Sequence, residues 1–82
     1  MTVTKNGSVI KLDIHGMYES EAEHAIRQFL SSADQGVREV IIIHGYRSGQ
    51  VLKEMVRTRL RHPRIQSKLL SLNEGQTRLI LK

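Results

Sequence analysis

"SVIKLDIHG", residues 8–16, alternates apolar and polar side chains, with Ile10, Leu12 and Ile14 on one side. In an extended strand, residues two apart share a face. The stretch therefore reads as a strand over residues 8–14, ended by Gly16. The same alternation puts Asp13 and His15 together on the opposite face, with Cα atoms roughly 6–7 Å apart. An acid beside an imidazole suits proton transfer, because histidine exchanges a proton near neutrality. On spacing alone, a surface strand with one polar face is the simpler explanation.

The sequence then changes period. Ala22, Ala25, Ile26, Phe29, Leu30 and Ala33 recur at helical spacing. Ser20 and Glu23 form a candidate capping box, with a start two residues earlier as the other option. Glu19, Glu21 and Glu23 suit the positive end of a helix dipole, and Gly36 is expected as a left-handed stop. Residues 37–44 contain "VIII" (40–43), an unbroken β-branched run of the kind found in central strands.

Glycines in "HGYRSG" (44–49) break that strand, and a second helix follows over about residues 50–61. Leu52, Met55, Val56 and Leu60 make its apolar stripe, while Lys53, Arg57 and Arg61 line a different face. Arg59 falls inside the apolar arc, which predicts a buried stem with the guanidinium emerging at the sheet edge. His62-Pro63 ends the helix. Residues 65–72 and 77–82 read as a hairpin, turning at Asn73, Glu74 and Gly75.

The expected order is β-α-β-α-β-β. It predicts an α/β two-layer sandwich of the α+β type, with a mixed four-stranded sheet and both helices on one face. The first two strands should be parallel with a right-handed crossover. Residues 1–7 are polar and expected to be a flexible segment, with one domain over 8–82.

Composition bounds the rest. Eighty-two residues allow one small domain. One Phe, two Tyr and no Trp require an aliphatic core. The lack of cysteine excludes disulfides and thiolate metal sites and fits a reducing cytosol, so a cytoplasmic location is expected. The longest apolar run is far short of the ~20 residues that span a bilayer, so no membrane partner is expected. No signal-peptide pattern opens the chain. Residues 1–41 carry six acidic and four basic side chains, whereas residues 42–82 carry nine basic and two acidic. That asymmetry suits a polyanion such as nucleic acid, or simply a soluble basic surface.

His44 ends the second strand, at the sheet edge where Asp13 and His15 also end theirs. Ligands of open α/β sheets gather at that edge. A glycine-rich loop opening a helix can hold phosphate on free backbone N–H groups, though no P-loop lysine follows here. Metal binding by Asp13, His15 and His44 is a weaker alternative, and no cofactor is expected. His24 and His62 look incidental.

Three segments together, "LDIHG" (12–16), "IIIHGYRSG" (41–49) and "EGQTRLIL" (74–81), resemble the small MutS-related (Smr) domain family. Its pattern is L-D-x-H-G, H-G-x-G-x-G and G-x-T-x-V-x-L in this order. Arg47 stands where the family has its middle glycine. The resemblance implies a βαβαββ fold, nucleic-acid binding and endonuclease activity. Family members are linked to DNA nicking and to RNA cleavage, including of messenger RNA on stalled ribosomes. Carried over by motif, Asp13 and His15 would be the catalytic pair. By the same motifs, His44, Gly45 and Gly49 would shape the substrate loop; in the mechanism this suggests on RNA, Arg47, Lys53 and Arg57 would neutralise phosphate. RNA is favoured over DNA, because a ribose 2′-OH can attack phosphorus without a metal, whereas DNA needs an activated water. A non-catalytic nucleic-acid- or ribosome-binding module of the same fold is the alternative. Oligomeric state stays open.

Overall fold

β1 (Thr2–Asn6), β2 (Val9–Asp13), α1 (Glu19–Ser32), β3 (Glu39–Ile43), α2 (Gln50–Glu54), β4 (Ile65–Leu70) and β5 (Gln76–Leu81) follow one another in this computed structural model. The structure describes residues 1–45 and 50–82. The strands form one mixed sheet in the order β1-β2-β3-β5-β4. β2 and β3 are parallel and joined through α1, and the other neighbours are antiparallel.

Among the described residues the sheet has five strands, not the expected four. The added strand is Thr2–Asn6, in the segment expected to be flexible. It pairs along its whole length with β2 across the two-residue turn Gly7-Ser8, from Thr2 opposite Asp13 to Asn6 opposite Val9. All five of its residues are exposed. The strand is held by backbone pairing, so it leaves no apolar signature.

Alternation builds the core. Ile10 and Leu12 of β2, Val40 and Ile42 of β3, and Leu79 and Leu81 of β5 are buried together with Ala22, Ile26 and Leu30 of α1. Leu52, Met55, Val56 and Leu60 complete the same cluster. Both helices thus cover one face of the sheet. Each large aliphatic side chain buried there contributes about 1.5–3 kcal/mol. On the other face, Arg78 of β5 makes two hydrogen bonds to the Glu39 carboxylate of β3 (2.9 and 3.1 Å). That pairing outweighs burial and holds Glu39 below the usual carboxylate range.

The helix ends differ from expectation. Tyr18 is the N-cap of α1, with extended backbone and no side-chain cap, so the start is the earlier of the two options and the Ser20–Glu23 box does not cap it. At the other end, Ala33 is extended and Gly36 is not left-handed. The Asp34 carboxylate instead accepts the Gly36 N–H (2.6 Å). No basic residue lies in the last turn of α1. Arg64 supplies the cation from across the fold, donating to the carbonyls of Ala33 (2.5 Å), Asp34 (2.8 Å) and Val37 (3.1 Å). The Ala33 carbonyl is one of the acceptors a helix terminus leaves open, and the other two lie in the loop to β3.

After five residues α2 widens into a π-helical turn, Met55–Arg59. Leu60 N–H donates to Met55 O (2.7 Å), five residues back instead of four. The extra residue per turn rotates Arg59 out of the apolar arc and brings Leu60 in. Arg59 is exposed and pairs with Glu19 at the start of α1. The predicted buried stem is thereby corrected.

Candidate functional site

Because β2 and β3 are parallel, their C-terminal ends reach the same edge of the sheet. Ile14 N–H donates to Ile43 O (3.0 Å) and extends the ladder by one residue. Each chain then turns at a His-Gly pair. After β2 the turn closes with Met17 N–H on Ile14 O (3.1 Å), and Gly16 has φ +80° at its third position. A type II turn requires that positive φ, which only glycine adopts readily. His15 stands at the second position, its side chain 72% exposed.

Asp13 is the last residue of β2. Its Oδ1 accepts both the backbone N–H of His15 (3.1 Å) and the ring Nδ1–H (2.5 Å). The acid therefore closes the turn and fixes the ring. A carboxylate can only accept, so Nδ1 carries a proton, and in the neutral ring the lone pair is on Nε2. Burial pushes the Asp13 carboxyl up. The side-chain bond, the backbone bond and the charge of His15, with a smaller effect of the amino terminus, outweigh it and hold the carboxyl below its ordinary value.

The second His-Gly pair is anchored to the β4–β5 turn. The N–H groups of His44 and Gly45 both donate to Gly75 O (2.9 and 3.0 Å). Gly45 has φ +79° and lies against the imidazole-bearing residue: a Cβ there would sit 4.0 Å from His15 Cβ. Asp13, His15 and Gly45 thus meet at one edge.

His44 lies behind that edge, on the helical side, and is 1% exposed. Its Nδ1–H donates to Gly45 O (2.7 Å), so Nε2 must accept, and the Thr77 hydroxyl donates to it (2.8 Å). Thr77 Oγ1 in turn accepts from Arg57 Nε (2.9 Å), and Arg57 Nη2 donates to Gln76 O (3.2 Å). Every proton in this chain has one direction. Burial lowers the His44 pKa. The Gly45 bond opposes this, while the charges of Arg57 and Lys53 add to it. The ring is held neutral.

His44 therefore presents no ring nitrogen to a ligand, and it lies on the other side of the sheet from Asp13. The alternative metal set of Asp13, His15 and His44 does not assemble. Among the described residues, no three His, Asp or Glu side chains converge as a metal would need. Arg57 is turned inward onto Thr77. Lys53 is half-buried, with its charge felt at His44. Arg47 and Gly49, both expected at the substrate loop, lie outside the described residues. Sequence reasoning gave Thr77 no role. Its signal was a polar residue at an inward position of a strand whose inward neighbours are Leu79 and Leu81.

Two helices on one face of a mixed five-stranded sheet, with polar groups gathered where the parallel pair ends, define a small two-layer α+β domain. The family model of the Smr domain matches residues 12–78, and the chain belongs to that family. The family fold is nucleic-acid-binding and nuclease-like. The chain is also similar in structure to the Smr domain of Thermus thermophilus MutS2. The TM-score is 0.69 at 25% sequence identity, covering 88% of this chain and 96% of that one. No curated protein matches it by sequence. No described helix is long and apolar enough to cross a membrane.

Proposed function

We propose that this domain is a metal-independent endoribonuclease whose acid–base group is His15. The observation that carries the reading is the Asp13–His15 bond, which commits Nδ1 to the carboxylate and leaves Nε2 exposed as a base. At a bound strand, Nε2 takes the proton of a ribose 2′-OH. The 2′ oxygen bonds to phosphorus as the P–O5′ bond breaks, and the proton passes to O5′. The products are a 2′,3′-cyclic phosphate and a 5′-OH. Asp13 holds the tautomer and stabilises the imidazolium that forms. Gly45 lets the chain lie close to His15. The positive charge of Lys53 and Arg57 behind the edge favours the phosphate, as Arg47 in the loop would. The setting is cytoplasmic, and ribosome-bound RNA is a substrate of this class.

The test is incubation of end-labelled single-stranded RNA in EDTA with the wild type, His15→Ala and Asp13→Ala. Cleavage by the wild type, lost in both variants and leaving cyclic-phosphate ends, supports the reading. Binding without cleavage by all three, with Mg²⁺ or Mn²⁺ added as well, replaces it with the non-catalytic binding module.

A further inference from the structure

Three shallow grooves on the helical side of the molecule meet at His62. Arg61 and Lys68 line the first, Arg27 the second, and Arg38 and Lys82 the third. Among the described residues, no Asp or Glu lines any of them. Among the described residues, the ion pairs are Asp13–His15, Glu19–Arg59 and Glu39–Arg78, so none of these cations is neutralised by an acid. Arg27 donates to Arg61 O, and Lys68 donates to Leu60 O (2.6 Å). These bonds fix the segment that carries Arg61 and His62. Burial lowers the pKa of His62, and Arg27 and Arg64 lower it further. Burial and Arg61 do the same at Lys68. Each of these two groups thus feels a neighbouring cation as well as burial.

We infer that this acid-free surface around His62 is a second nucleic-acid contact, gripping phosphates of a strand whose neighbouring segment lies at the Asp13–His15 edge. It rests on the nucleic-acid ligand of the proposed function, not on its chemistry. Protein interfaces centre on apolar anchors. The exposed large apolar side chains here, such as Tyr18, Val51 and Leu72, all lie elsewhere. Shallow grooves lined by cations suit a phosphate backbone better. α1 starts after the His15 turn at the site's edge and runs to the far edge, where Arg64 caps it. Its 14 residues rise about 21 Å. At ~3.4 Å per stacked nucleotide, a strand following α1 from the His15 turn needs about six nucleotides to reach its far end.

The experiment measures binding of fluorescein-labelled poly(U) and poly(dT), as 20-mers and 4-mers, to the His15→Ala form of the 82-residue chain, so that cleavage plays no part. Arg61→Glu and Arg38→Glu are compared with Lys11→Glu, an equal charge change on the open sheet face. The expected result is roughly tenfold weaker 20-mer binding for each of the first two. The salt slope should fall by about 0.7 per lost contact. Lys11→Glu should change affinity less than about twofold, and the 4-mers should respond less than the 20-mers. An effect on both sugars, or on one, places the strand on this surface. Equal weakening by Lys11→Glu means net charge alone and overturns the proposal. Unchanged affinity, or no binding to either oligomer, also overturns it and leaves the surface to an acidic protein. If a reversal variant fails to fold, Arg61→Gln and Arg38→Gln against Lys11→Gln give the same ranking or refute it.

Discussion

Thr77 and His44, thirty-three residues apart in sequence, share a buried hydrogen bond of 2.8 Å whose direction is fixed from both ends. Gly45 O forces the His44 proton onto Nδ1, and Arg57 claims the Thr77 oxygen as an acceptor. The bond ties the edge carrying Gly45 to β5 and α2. Thr77→Val removes the hydroxyl and leaves His44 Nε2 and Arg57 Nε unpaired. It should cost about 1–3 kcal/mol in urea unfolding, and Thr77→Ser should recover most of that.

Stability should depend on pH through the same histidine. The folded pKa of His44 lies below its ordinary value of 6.5, so the folded state prefers the neutral ring. That contribution is complete above pH 6.5 and is lost as pH falls from 6.5 toward the folded value. The slope is at most ~1.4 kcal/mol per pH unit. His62 is shifted the same way and adds to the effect. Unfolding free energies measured from pH 8 to 5 should decline below 6.5. The decline should be shallower in His44→Asn and in His62→Asn, each compared with its own value at pH 8.

Gly45→Ala places a side chain at φ +79°. The left-handed backbone costs roughly 1–2 kcal/mol for a residue with a Cβ. The new methyl meets His15 Cβ at ordinary contact distance and does not clash. Thermal melts should show that backbone cost, and RNA cleavage should fall by more than the lost stability accounts for. Equal losses would mean that Gly45 serves the fold alone.

Arg64→Met should destabilise by about 1–3 kcal/mol, because the α1 C-cap and the loop to β3 lose three hydrogen bonds at once. Arg64→Lys should recover only part, since a lysine lacks the planar fork that reaches separate carbonyls. Chemical denaturation of the three proteins measures this directly.

The elements that bury apolar side chains were legible in the sequence. The period-2 pattern ending at Ile14 and the helical spacing from Ala22 to Leu30 each report a face turned to the core, and the core is where the structure puts them. β1 was not legible, because all its residues are exposed and its order comes from pairing with β2. Its one signal was the Gly7-Ser8 step, a two-residue hairpin loop of known type. Arg59 misled because a helical wheel assumes a constant turn, and the π-helical turn breaks that assumption at Met55. Asp13 and His15 were legible as a pair, but their relation was not. They meet through a tight turn and one shared carboxylate oxygen, not as neighbours on a flat strand. The chain from Arg57 through Thr77 to His44 joins three distant segments, and no local pattern announces it.

A DNA 20-mer carrying a single ribonucleotide, incubated with the protein in EDTA, tests the role of His15 most directly. A base that takes a 2′-OH proton has one place to act on such a strand. The predicted result is one cut immediately 3′ of the ribonucleotide, leaving a 2′,3′-cyclic phosphate and a 5′-OH, and no cut with His15→Ala. Cleavage at deoxynucleotides, or cleavage that survives His15→Ala, would contradict the account.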